Sequence, residues 1–203
     1  MLIIGLTGPS GAGKGVVASI FARYGVPSID TDAVYHDLLI PPSPCLCELT
    51  HRFGTGILNH DGTLNRKALA AVVFAEGHDA ELRDLNRIAH YHVLAAVRQR
   101  LTAYHVDGMP AVLVDAPQLF ESEFNNECDR ILAVLAPREA RLARIMKRDG
   151  LSSEAANARL AAQKSDEFFT LHSHDVIFND GSEADLERDV QRLLDKWEVP
   201  HEA

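Results

Sequence analysis

The chain has 203 residues, with 20 Lys and Arg against 29 Asp and Glu and a formal net charge of -9. So acidic a chain has no global positive field, which excludes capture by a nucleic-acid backbone or an anionic membrane; local cations must hold any anionic substrate. The three cysteines, Cys45, Cys47 and Cys128, make no disulfide framework, no apolar run approaches the roughly 20 residues of a membrane span, and the N-terminus opens straight into a strand pattern without a signal segment; one domain in a reducing cytoplasm is expected.

The first strand, Leu2 to Leu6, runs into Gly8-Pro-Ser-Gly-Ala-Gly-Lys14-Gly15, after which Val17, Ile20 and Phe21 form the apolar stripe of a helix. Strand, glycine loop and helix N-terminus in that order make a phosphate cradle. The glycines let backbone N–H groups converge, the helix dipole adds partial positive charge, and Lys14 reaches a β- or γ-phosphate. The segment fits the Walker A pattern except at its last position, where Gly15 replaces the Ser or Thr whose hydroxyl ligates Mg²⁺.

Tyr24-Gly25 ends the helix, and Val26 to Ile29 predicts a short second strand that delivers Asp30-Thr-Asp32 at its carboxyl end, where parallel sheets bind ligands. Two readings fit these carboxylates: a helix cap with its neighbour, or a base that takes the proton of a hydroxyl attacking a γ-phosphate. From Ala33 to about Met109 the pattern is mostly helical, broken at Pro41 to Pro44 and at Asn59 to Thr63, with helices predicted over Asn65 to Ala75 and Glu81 to Tyr104. Inserted between the second and third strands, this subregion suits an acceptor substrate.

Ala111-Val-Leu-Val-Asp115 has the Walker B pattern, in which the Asp holds Mg²⁺ directly or through water; many buried strands also end in Asp merely as a cap. The fourth strand is Arg130 to Leu135, and Pro137 opens a helix over Arg138 to Arg148. Its stripe of Arg141, Arg144, Lys147 and Arg148 is either a solvated face or a means of neutralising charge on a transferring phosphoryl group. A second helix, capped at Ser152, runs through Gln163, so helix, Gly150 turn and helix together predict a hinged lid. Asp175 to Phe178 is a fifth strand, and Ser182 to Trp197 a closing amphipathic helix. The spacings His90-Tyr-His92 and His172-Ser-His174 lack the Cys or carboxylate partners of a zinc site and read as surface or substrate-contacting histidines.

These pieces give an α/β, three-layer P-loop kinase fold: a central, mostly parallel five-stranded sheet, an inserted helical substrate subregion and a helical lid. Its core covers about 1–32, 111–137 and 175–203, the acceptor subregion about 33–110, and the lid about 138–174. No pattern in the chain fixes an oligomeric state.

Over nearly its whole length the chain resembles the dephospho-CoA kinase family. The resemblance is carried by Ile29-Asp-Thr-Asp32, Asp61 to Leu69 with Phe74, Asn86-Arg-Ile-Ala-His90, Pro117-Gln-Leu-Phe-Glu121, Cys128 through Asp149, Gln163, and Asp175 to Gly181. It implies ATP-dependent phosphorylation of the ribose 3′-hydroxyl of dephospho-CoA, with ATP as donor and Mg²⁺ as cofactor. By position, Asp32 would be the general base and Lys14 and Arg148 its catalytic partners. Gly8, Gly11, Ala12, Gly13, Lys14, Gly15 and Val16 would hold the ATP phosphates, with Arg144 and Arg148 as lid cations and Asn179 in the adenine pocket. His36, His90, Pro117, Leu119, Phe120 and Glu121, with Asp32, would face the acceptor, and Asp115 the metal. The chain departs from the family at Gly15, at His36 where an Arg is usual, at Tyr91 in place of Pro, and at Gln118 in place of Leu. Two other functions remain open: a degenerate nucleotide-binding protein of this fold, and a kinase of another nucleoside-like hydroxyl.

Overall fold

The computed structural model describes residues 1–75 and 77–201. Chain packing divides them into two units, Met1–Asp30 with Ala103–Ala203, and Thr31–Thr102.

The first unit is built on five strands: β1 (Leu2–Thr7), β2 (Ser28–Asp30), β3 (Ala111–Asp115), β4 (Arg130–Leu135) and β5 (Asp175–Phe178), in the order β2-β3-β1-β4-β5. All four pairings are parallel, so the expectation of a mostly parallel sheet sharpens to a wholly parallel one. Such a sheet is buried on both faces, which is why β3 and β4 read as continuous apolar runs. One face packs on α1 (Lys14–Arg23) through Val17, Ile20 and Phe21 and on the C-terminal helix (Glu183–Lys196) through Leu186, Val190, Leu193 and Leu194; fully burying each such side chain stabilises by about 1.5–3 kcal/mol. Ser182 and Asp185 start that last helix with reciprocal side-chain to backbone bonds. Alternate residues of β4, Ala133 and Leu135, point to the other face, where Phe169 covers them.

The second strand begins later than the Val26–Ile29 expectation, because Pro27 has no N–H to donate, and it ends later because Asp30 still pairs with Asp115; Thr31 then opens α2 (Thr31–Asp37). The second unit continues with α3 (Pro44–Phe53), capped by the Ser43 hydroxyl, α4 (Arg66–Val73), capped by Asn65, and α5 (Asp79–Val106), which returns the chain to the first unit. Pro44, expected in a break, is the first residue of α3, where its missing N–H costs nothing. Leu39, Cys45, Leu49, Ile57, Leu69, Val73 and Ile88 form this unit's own core.

After β4 come α6 (Arg138–Asp149), α7 (Ser153–Ala161) and α8 (Asp166–His172), with the C-terminal helix as α9. The sequence reading had no place for α8. Its start signal was nevertheless present: the Ser165 hydroxyl accepts the Phe168 N–H, followed by Asp166 and Glu167 in the first turn.

Candidate active site

The loop between β1 and α1 has little freedom. A Cβ on Gly8 (φ +135°) would lie 2.2 Å from the Val134 carbonyl oxygen, one on Gly11 (φ +77°) 2.8 Å from the Arg141 carbonyl oxygen, and one on Gly13 (φ +103°) 2.1 Å from Asn179 Nδ2. Each glycine is therefore required both by its φ and by the close approach of another segment. Gly15 is exposed, and nothing lies within 4 Å of where its Cβ would be. Val16 beside it is also exposed, while Ala12 is buried in the core.

Side chains then tie the loop down. Lys14 Nζ donates to the Gly8 carbonyl at 3.0 Å, spanning the loop's two ends. Asn179, buried just beyond β5, donates from Nδ2 to the Ala12 carbonyl at 2.7 Å. From α6, Arg144 Nη1 donates to the carbonyls of Gly11 (3.1 Å) and Ala12 (3.3 Å). These bonds fix the loop from its carbonyl side, and the Ala12 N–H closes a turn inside it on the Pro9 carbonyl at 3.2 Å. Ser10 has two partners of its own: its N–H donates to Gln163 Oε1 at 3.0 Å, and its hydroxyl accepts from Arg148 Nη2 at 3.3 Å. Arg148 also forks onto Asp149 at 2.7 and 2.9 Å, which raises the pKa of the guanidinium and holds that of the carboxyl below its usual range. Arg159 of α7 pairs with the same carboxylate.

The basic stripe of α6 is thus split. Arg144 and Arg148 bind the loop, whereas Arg141 is buried and ion-pairs with Asp166 of α8 at 3.3 Å, a structural role that the spacing alone did not separate.

At the strand ends, Asp115 stands in register with Leu6 of β1 on one side and with Asp30 of β2 on the other. Two carboxylate residues therefore end adjacent strands in the same unit as the loop. Thr7, the last residue of β1, is fully buried, and its hydroxyl has no partner among the described residues.

The loop after β3 departs from expectation. Leu119 is fully buried and packs into the space that Gly5 leaves in β1, with Cys128 on the same spot, so it is a core residue and not an acceptor contact. Phe120 packs edge-on against Phe168 (5.1 Å) and His172 (5.8 Å), and Glu121 ion-pairs with Lys164 at 3.3 Å. Pro117 is exposed. Asn179, assigned to an adenine pocket, spends its amide donor on the loop backbone.

Within the second unit, Asp32 is exposed in the first turn of α2. His36 is exposed on the same helix, with Nδ1 3.4 Å from Arg66 Nη2. An arginine from α4 therefore stands beside His36, a pairing across 30 residues that no local pattern reveals. His90 is half-buried on α5, Tyr91 is exposed, and His92 pairs with Glu48 at 2.8 Å.

A wholly parallel sheet whose first strand opens into this braced glycine loop defines a P-loop kinase. The family is narrower than that. The dephospho-CoA kinase family model matches residues 2–185, and the chain is 36% identical over 199 residues to a dephospho-CoA kinase of Bacillus cereus, covering 98% of each chain. Among solved structures, a Thermus thermophilus protein matches with a TM-score of 0.81 and 33% identity over 96% of this chain and 97% of that one. The dephospho-CoA kinase from Campylobacter jejuni matches with a TM-score of 0.70 and 26% identity over 96% of each. The chain belongs to the dephospho-CoA kinase family.

Proposed function

We propose that the chain transfers the γ-phosphoryl group of ATP to the ribose 3′-hydroxyl of dephospho-CoA, releasing coenzyme A and ADP, in a reducing cytoplasm. The observation that carries this reading is the braced loop Gly8 to Lys14 in a chain with family membership along its length. Lys14 and the loop amides hold the β- and γ-phosphates, Asp32 accepts the acceptor hydroxyl's proton, and the P–O bond to ADP breaks as the new one forms. Arg148 and Arg144, on the α6–α7 hairpin acting as a lid, neutralise charge on the transferring group. His36 with Arg66, and His90, contact the acceptor.

Asp115 and Asp30 offer hard carboxylate oxygens at neighbouring strand ends, a donor set that suits Mg²⁺, whereas Gly15 offers no oxygen. When bound there, the ion supplies positive charge to the β- and γ-phosphates. Asp115 would hold it directly or through water.

The test is an ADP-release assay with ATP and dephospho-CoA run beside a panel of nucleosides. Turnover with dephospho-CoA at least 10²-fold above every nucleoside supports the reading. Binding of ATP with no turnover on any acceptor favours a degenerate nucleotide-binding protein, and a preferred nucleoside favours a different kinase.

A further inference from the structure

Beyond the contacts of Arg144, the two ends of the α6–α7 hairpin converge on Ser10 of the phosphate loop from two directions. Gln163, just past the end of α7, accepts the Ser10 N–H at 3.0 Å, and Arg148, at the end of α6, donates to the Ser10 hydroxyl at 3.3 Å. Gln163 is half-buried, and its backbone N–H closes on the Leu160 carbonyl, so the residue is carried rigidly by the last turn of α7. The Arg159–Asp149–Arg148 chain links the same two helices through their charged side chains.

A neutral amide oxygen suits this place: it accepts one N–H firmly, whereas a carboxylate would set a negative charge beside a loop built for phosphates. The Gln163 bond fixes the orientation of the Ser10 peptide, and that peptide carries the hydroxyl on which Arg148 rests. Without Gln163, the Ser10 residue on which Arg148 rests is no longer held from the end of α7.

We infer that Gln163 is a positioning residue for phosphoryl transfer: it clamps Ser10 so that Arg148 is presented at the phosphate edge of the loop. This rests on the kinase reading for its kinetic consequence, but the clamp itself is testable without turnover. Gln163 acts on Ser10, and its effect on transfer passes through Arg148.

Three variants separate the possibilities. Gln163→Met keeps the size and removes the acceptor, Arg148→Met removes the cation, and the third combines them. Gln163→Met should lower kcat about 10-fold with KM for ATP changed by less than about 3-fold, since the contribution of a placed cation grows in the transition state. Arg148→Met should lower kcat by about 10²-fold, and the double variant should be no worse than Arg148→Met within about 2-fold, because residues acting as a unit are not additive. Losses that multiply, or an unchanged kcat in Gln163→Met, overturn the inference. Hydrogen exchange of the loop amides in the nucleotide-free protein reads the clamp directly. Exchange of the Ser10 amide should quicken at least 10-fold in Gln163→Met and slow again in Gln163→Glu, which restores an acceptor and, by its charge, raises KM for ATP. Unchanged Ser10 exchange in Gln163→Met overturns the clamp even if the parent phosphorylates dephospho-CoA. Inactivity of the parent with the predicted exchange pattern overturns only the kinase reading. Should Gln163→Met fail to fold, Ser10→Ala, which deletes only the seat of Arg148, must show the same non-additivity with Arg148→Met.

Discussion

Between Gly8 and Gly13 the backbone is fixed by close approaches: three glycines each sit where a methyl group would strike Val134, Arg141 or Asn179. In Thr31–Thr102 the glycines Gly54, Gly56 and Gly62 have nothing within 4 Å of the place a Cβ would take. Order there comes instead from apolar burial around Leu49, Ile57 and Ile88 and from side-chain caps at Ser43 and Asn65. The difference is functional. A phosphate cradle must present backbone groups at fixed positions, so it tolerates few residue types, while the packed interior of a helical unit accepts apolar side chains that keep its volume.

The largest expected effect sharpens this contrast at the sequence boundary of the two units. Asp32→Asn keeps shape and removes the base, so kcat should fall by about 10²–10⁴-fold with ATP binding nearly intact, measured by steady-state kinetics and nucleotide titration. Loss of binding in proportion would make Asp32 a structural cap. Next, Gly8→Ala should destabilise the fold by about 3 kcal/mol or more in denaturant unfolding, because the neighbouring atom is a backbone oxygen; Gly56→Ala should stay within about 1 kcal/mol of the parent. Equal costs would break the comparison.

Asn179→Ala should cost about 1–3 kcal/mol, the scale of a buried polar pair left half-made, and should weaken ATP binding more than dephospho-CoA binding. Gly15→Ser meets open space and should gain about 0.5–1 kcal/mol of helix stability. The same change should lower the Mg²⁺ concentration giving half-maximal rate; identical titration curves would mean that position 15 does not face the ion.

The smallest effect is electrostatic and is shared by both units. Asp149 in the first and Asp84 in the second are held below the ordinary carboxylate value of 3.8, each chiefly by a hydrogen bond to an arginine, Arg148 and Arg52. Depressed carboxylates contribute stability that is present above pH 4 and is lost as pH falls below it, when the folded state must take up protons. Both side chains are solvated, so the melting temperatures of Asp149→Asn and Asp84→Asn should differ little from the parent at pH 7 and converge on it near pH 3.

Much of the first unit was legible because its constraints are local. Apolar runs gave the five strands, the glycine pattern gave the loop, and Asp115 ended the run that β3 became. What escaped was long-range. The resemblance places Leu119 at the acceptor, whereas Gly5 leaves a space in β1 that Leu119 and Cys128 fill from far along the chain. Gln163 and Ser10 are 153 positions apart, and no spacing rule joins them. Helix α8 has seven residues, too few for a 3.6-residue period to declare itself even with Ser165 as its cap. In the second unit α4 and α5 were visible but Arg66 beside His36 was not, because a helical pattern defines a face without defining what that face meets.

The most direct measurement follows the phosphorus atom. The parent protein is incubated with γ-labelled ATP, Mg²⁺ and dephospho-CoA, and the labelled product is located by ³¹P NMR and mass spectrometry. One added phosphate on the ribose 3′-oxygen, formed in equal amount to ADP, is the predicted result. Label found only as inorganic phosphate, or on any other oxygen of the acceptor, would contradict it.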